Sequence, residues 1–101
     1  MQFVYIIQAG NTNLYKIGYT NNPERRIKGL QTGNPQSLRF VTIYETPNPR
    51  ELERKIHDIV AREKMVGEWF EIDHVDSLIF EINTKLRVTH RELFHGYKSP
   101  C

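Results

Sequence analysis

Phe3-Val4-Tyr5-Ile6-Ile7, then Gly10-Asn11-Thr12-Asn13, then Tyr15-Lys16-Ile17-Gly18-Tyr19-Thr20, is the stretch whose reading decides the fold. Both outer segments are rich in β-branched and aromatic residues, which suit a pleated, half-buried surface. The four residues between them carry turn chemistry and leave too little chain for a parallel crossover. Residues 3–8 and 15–19 are therefore expected to pair as an antiparallel hairpin. The pairing brings a phenol, Tyr5, near an ammonium, Lys16, with the guanidinium of Arg26 shortly after. A lysine in the middle of an otherwise buried strand is costly unless it is paired. The turn is too loosely specified to fix the register.

Working outward, Asn22 is placed to cap a helix whose first position is Pro23 and whose apolar face is Ile27 and Leu30. Gly33-Asn34-Pro35 ends that helix. Residues 38–45 alternate Leu38, Phe40, Thr42 and Tyr44 with Arg39, Val41 and Ile43, the period of a third strand. Asn48, Pro49 and Glu51 supply a cap, a first-turn proline and a capping-box acid for a second helix. Leu52, Ile56, Ile59 and Val60 run along one face of it to about residue 64. Residues 67–71 read as a short extended piece, and Asp73 as the cap of a last helix carrying Val75, Leu78, Ile79, Ile82 and Leu86. The expected fold class is α+β: a small three-stranded antiparallel sheet flanked by helices. Residues 1–86 form one domain in this reading, and 87–101 a basic polar C-terminal tail.

Bulk composition bounds the rest. A chain of 101 residues buries one core, not two. No apolar run approaches membrane-span length, so no membrane partner is expected. Met1 leads into the first strand almost at once, which leaves no room for a cleavable leader. The single cysteine, Cys101, excludes an internal disulfide and a thiolate zinc site. An intracellular location, cytoplasmic or nuclear, is the expectation. Net charge is only +2, but Lys16, Arg25, Arg26, Lys28 and Arg39 fall in the first forty residues, where Glu24 is the sole acid. The N-terminal half is thus the basic half.

Arg26 adjoins the apolar positions of its helix and is placed to lie along the sheet. Glu53 and His57 follow the core positions Leu52 and Ile56, so they share one flank a turn apart. A single carboxylate, completed by waters and substrate phosphate, is a common way to hold Mg²⁺. Tyr5, Lys16, Tyr19, Arg26, Glu53 and His57 together hold what phosphodiester hydrolysis asks for. A base activates water, a metal neutralises non-bridging oxygens, and a cation offsets charge on the leaving oxygen. A free phenol, with a pKa near ~10, is a poor base at pH 7. A cation within ~4–6 Å makes a phenol a better one, and Lys16 is the expected supplier.

The sequence resembles a GIY-YIG nuclease domain, of the phage and viral branch whose second motif reads Lys-Ile-Gly. Phe3-Val4-Tyr5 stands at the first motif and Lys16-Ile17-Gly18 at the second. Asn22-Pro23-Glu24-Arg25-Arg26 matches the approach to the catalytic arginine, Leu30 to Pro35 is similar to the stretch that follows, and Gly67-Glu68-Trp69-Phe70 resembles the ending. The resemblance implies one Mg²⁺ or Mn²⁺ on Glu53, a Tyr5-assisted water attacking DNA phosphorus, and Arg26 steadying the transition state. Lys16 and Tyr19 then support the base. Phe3 departs from the first-motif glycine, Lys16 from the commoner tyrosine, and Leu30 stands where many members carry histidine or tyrosine. Tyr19 and His57 are candidates to supply that missing polar group. Cutting both strands implies a homodimer on the substrate or two encounters. Two rival readings are a catalytically inactive nucleic-acid-binding module of the same fold and an interaction protein that uses the fold as scaffold.

Overall fold

The hairpin forms where its turn chemistry allows. In the computed structural model, which describes residues 2–86, β1 (Gln2–Ala9) and β2 (Leu14–Thr20) pair antiparallel. Gly10 takes a positive φ of 54°, and its N–H donates to Ser37 O at 2.8 Å. Thr12 N–H donates to Ala9 O at 3.1 Å, while its hydroxyl accepts from Leu14 N–H at 3.1 Å. These bonds set the register that the sequence left open: Tyr5 faces Gly18, Ile7 faces Lys16, and Val4 faces Tyr19.

The remaining elements are α1 (Pro23–Gln31), β3 (Leu38–Thr46), α2 (Pro49–Val60), β4 (Lys64–Val66), β5 (Trp69–Glu71) and α3 (Val75–Leu86). All strand pairs are antiparallel, in the order β3-β1-β2-β5-β4. The three expected strands thus form the larger part of a five-stranded sheet, extended by a short hairpin. The second helix stops at Val60, short of residue 64, because the next apolar-face positions would be Glu63 and Lys64. β4 follows instead, folded back on β5 through Gly67 at φ 64°. Every residue of β4 is exposed, so no alternation of burial marked it.

Cross-strand partners point to the same side, so the register sorts the core into two faces. Val4, Ile6, Tyr15, Ile17 and Tyr44 lie on one, under Leu52, Ile56 and Val60 of α2 and Leu78 and Ile82 of α3. Tyr5, Ile7, Ala9, Leu38 and Ile43 lie on the other, with Ile27 and Leu30 of α1 packed over them. A register shift opposite Ile6 and Ile7 breaks the simple alternation expected of β3: Ile6 pairs with Thr42, but Ile7 pairs with Phe40. The extra residue, Val41, is a β-bulge, and it turns Phe40 onto the Tyr5 face.

The caps divide. Asn22 Oδ1 accepts from Arg25 N–H at 3.1 Å, as its position predicts. Asn48 makes no side-chain capping bond; its own N–H donates to Thr46 Oγ1 at 3.0 Å, and Pro49 opens α2. α3 begins at Val75, two residues after Asp73, whose carboxylate accepts from Asn13 Nδ2 at 3.0 Å and ties the first turn to that helix. Among the described residues no helix is long and apolar enough to cross a membrane. The expected tail, with His90, Arg91, His95, Lys98 and Cys101, lies outside the described residues.

Candidate functional site

Tyr5 enters the site from the middle of β1, which lies between β3 and β2. It is 1% exposed, its ring is edge-on to Phe40 with centroids 6.2 Å apart, and its hydroxyl accepts a hydrogen bond from Arg26 Nε at 3.2 Å. The phenol lies across Gly18 of β2. A Cβ there would stand 2.7 Å from Tyr5 Cζ and closer still to the hydroxyl. Gly18 has an ordinary backbone conformation, so the glycine is required by this close approach and not by φ. Arg26 joins the buried phenol to the surface, where it lines a recess with Thr20, Arg25 and Gly29.

Lys16 lies on the same face as Tyr5 and Gly18, one cross-strand pair further along. Its side chain is 13% exposed, and its ammonium pairs with Glu68 Oε1 at 3.1 Å. The ammonium also lies 6.0 Å from the centre of the Trp69 ring. The cation bonded to the Tyr5 hydroxyl is therefore Arg26, where the sequence reading expected Lys16 in that place. The register explains the change: Gly18, not Lys16, sits directly opposite Tyr5.

Tyr19, Glu53 and His57 fall on the opposite face. Tyr19 is exposed at its edge, and its hydroxyl accepts from Arg50 Nε at 3.1 Å. Glu53 follows Arg50 by three residues on α2 and is half-buried. His57, the next residue along that flank, packs edge-on to Phe70 at 5.4 Å between ring centroids. The six expected residues thus divide between the two faces of the sheet in two rows. Tyr5, Lys16 and Arg26 form the first; Tyr19, Glu53 and His57 form the second. β5 pairs with β2 at Leu14 and Tyr15, so the β2 edge from Lys16 to Thr20, which lies between the rows, is not paired by β5.

The donor set is narrow. Among the described residues no three His, Cys, Asp or Glu side chains gather as a metal site. Glu53 offers one hard oxygen donor. Two partners escaped the sequence reading. Arg50, three residues before Glu53 on α2, holds Tyr19. Glu68, named before only within the Gly67–Phe70 stretch, holds Lys16. Arg50 was visible as a cation one helical turn before Glu53, whereas Glu68 meets Lys16 only once the unmarked β4–β5 hairpin is built.

With this geometry in place, comparison with known proteins gives the family. The profile of the T5orf172 domain matches residues 2–99, nearly the whole chain. The chain belongs to the T5orf172 domain family. Protein 315L of Invertebrate iridescent virus 6, named for a KilA-N domain, is 37% identical to it over 65 residues. That match covers 60% of this chain and 28% of the viral protein, so this T5orf172 domain corresponds to less than a third of its relative's length. No solved structure matches. The T5orf172 match takes in β1, β2, α1 and α2, and with them all six candidate residues.

Proposed function

We propose that this T5orf172 domain is a metal-dependent endonuclease of the GIY-YIG type, hydrolysing DNA phosphodiester bonds with low intrinsic sequence specificity. The observation that carries the reading is the Tyr5–Arg26 contact over Gly18. First-motif tyrosine, second-motif glycine and helix arginine, separated in sequence, meet at one point. Membership of the T5orf172 family and the viral relative support a nucleic-acid-binding or nuclease-like module.

In this reading Tyr5 takes a proton from the attacking water. The reacting form of Tyr5 is the phenolate, its own proton released to solvent; Arg26, donating to that oxygen, stabilises the negative charge until the proton taken from water neutralises it. Arg26 also lines a recess with Thr20, Arg25 and Gly29, where its guanidinium would meet a substrate phosphate. Glu53 is the residue that would hold Mg²⁺ or Mn²⁺, and a lone carboxylate fits an ion otherwise ligated by water and substrate phosphate. The ion, when bound, neutralises the non-bridging oxygens. Tyr19, fixed by Arg50, and His57 orient groups on the Glu53 side of the β2 edge. Low specificity follows from the fold, because the helices described here are committed to packing on one sheet and none stands out as a groove reader.

Nicking of supercoiled plasmid in Mg²⁺ or Mn²⁺, with wild type compared against Glu53→Ala and Arg26→Ala, tests the proposal. Metal-dependent nicking lost in both variants supports it. No cleavage by wild type on any DNA form, with salt-sensitive binding intact, overturns it. That outcome establishes the second reading, a catalytically inactive nucleic-acid-binding module. One observation favours this second reading: Glu53 stands on the opposite face of the sheet from Tyr5 and Arg26.

A further inference from the structure

The ion pair between Lys16 and Glu68 is unequal. The lysine side chain is 13% exposed and the glutamate 87%. Glu68 sits in the tight turn of the β4–β5 hairpin, directly after Gly67, and Val66 and Trp69 close that turn as cross-strand partners. A carboxylate so exposed is held weakly, because water screens the attraction and competes for both groups. Lys16 has a second, fixed attraction. Its ammonium lies near the Trp69 ring, and Trp69 packs into the Tyr5 face of the sheet. Removing the carboxylate therefore leaves the ammonium in place and without its counter-ion.

We propose that Lys16 is a binding subsite for a backbone phosphate of nucleic acid, and that Glu68 is an internal competitor which the phosphate displaces. The inference rests on the nucleic-acid reading above, though not on catalysis. A phosphate oxygen and a carboxylate oxygen make the same charge-assisted bond to an ammonium, so the exchange replaces one anion by another. Its position separates this subsite from the Tyr5–Arg26 point. Lys16 and Gly18 are two residues apart on one strand face, about 7 Å, so Lys16 meets a phosphate neighbouring the one at Arg26. The Lys16–Glu68 pair thereby lowers affinity for every backbone equally and prevents a permanently open cationic face.

The test is binding of a short fluorescently labelled DNA duplex, followed by anisotropy in EDTA so that cleavage plays no part. Glu68→Gln removes the charge and retains the shape. It is expected to tighten binding by roughly 2- to 5-fold at low salt. In a Lys16→Met background the same substitution is expected to have no effect, and Lys16→Met alone to reduce the salt slope by about 1. Glu51→Gln, which removes an equal charge from the start of α2, is the control and leaves affinity unchanged. Trp69 is the only tryptophan, so its emission reports the exchange directly: duplex shifts it in the wild type and shifts it less in Glu68→Gln. Unchanged or weaker binding by Glu68→Gln, or an equal gain without Lys16, overturns the proposal while the nucleic-acid reading stands. If neither wild type nor Glu68→Gln binds duplex at low salt, the nucleic-acid reading itself fails and takes the subsite with it.

Discussion

Gly18→Ala is the substitution whose sign the structure decides. Replacing glycine by alanine in an extended strand ordinarily stabilises a protein by about 0.4–1 kcal/mol, because the unfolded chain loses freedom. At position 18 the new methyl would stand 2.7 Å from Tyr5 Cζ and 3.3 Å from Cε1. The ring has little room to retreat, being 1% exposed, edge-on to Phe40 and bonded to Arg26. Overpacking of this kind costs about 1–3 kcal/mol, which outweighs the entropic gain. The net expectation is a loss of about 1–2 kcal/mol, or a fall in Tm of roughly 4–16 °C for a domain of this size. Urea denaturation followed by circular dichroism measures it, with an unchanged m-value showing that the contact itself was altered. Gly29→Ala is the internal control: nothing lies within 4 Å of a Cβ there, and the position is inside α1. It is expected to stabilise by about 0.5–1 kcal/mol. In the Tyr5→Phe background, where the closest colliding atom is gone, Gly18→Ala is expected to cost less than it does alone. A Gly18→Ala protein as stable as wild type would refute the packing of phenol on glycine and remove the main support of the proposed site.

Three further outcomes follow from particular groups. Arg26→Lys keeps the charge but not the Nε donor to Tyr5; the proposed nicking reaction is expected to fall by about 10²-fold with a stability loss of about 1 kcal/mol, as initial nicking rates and urea midpoints will show. Glu81 accepts hydrogen bonds from Arg62 and Lys85, which hold its carboxyl down at about 2, from the usual 4.5. Its contribution is therefore present above pH 4.5 and lost as pH falls toward 2, so Glu81→Gln should lower the urea midpoint at pH 7 and converge on wild type near pH 2. Burial pushes the Tyr44 phenol up to about 12, against a smaller opposing effect of the Thr42 hydrogen bond. Stability is expected to be level below pH 10 and to decline as pH rises through 12, and Tyr44→Phe is expected to remove one late-ionising phenol from an ultraviolet titration.

The parts of the fold that could be read in advance are those where side-chain period and turn chemistry agree. β1, β2, α1, β3 and the start of α2 each carry both signals, and each lies within a residue or two of its expected bounds. What could not be read depends on contacts distant in sequence. The bulge at Val41 exists because β3 must put both Phe40 and Ile43 on the Tyr5 face, a demand that comes from the partner strand. β4 has no buried residue and pairs with β5, so nothing local announces it. At the site, the residue types were legible and the pairings were not. Tyr5 took Arg26, Lys16 took Glu68 and Tyr19 took Arg50, because each bond is fixed by a register or a hairpin and not by composition.

The division of the six residues into two rows nonetheless follows from a rule already contained in β2. Side chains alternate along a strand, so residues an even number of places from Gly18 share its face and residues an odd number away do not. Lys16 is two before Gly18 and Tyr19 one after it; once Tyr5 was placed opposite Gly18, Lys16 had to join Tyr5 and Tyr19 had to face α2. A lysine at position 16 therefore changes the chemistry of the Tyr5 face alone. It adds to the phenol's face a cation paired with Glu68, and leaves the Glu53 side as it was. A group wrapping the β2 edge from Lys16 to Thr20, which β5 does not pair, would meet both rows. A nucleic-acid backbone laid across it, with one phosphate at Arg26 and its neighbour at Lys16, would bring its anionic oxygens to the border of the Glu53 side. Under that arrangement the substrate, not the protein interior, joins the two halves of the site. Loss of Glu53 is then expected to abolish cutting while leaving the Tyr5–Arg26 contact and the thermal stability of the domain intact, and a Glu53→Ala protein that unfolds more easily by as much as Gly18→Ala would contradict it.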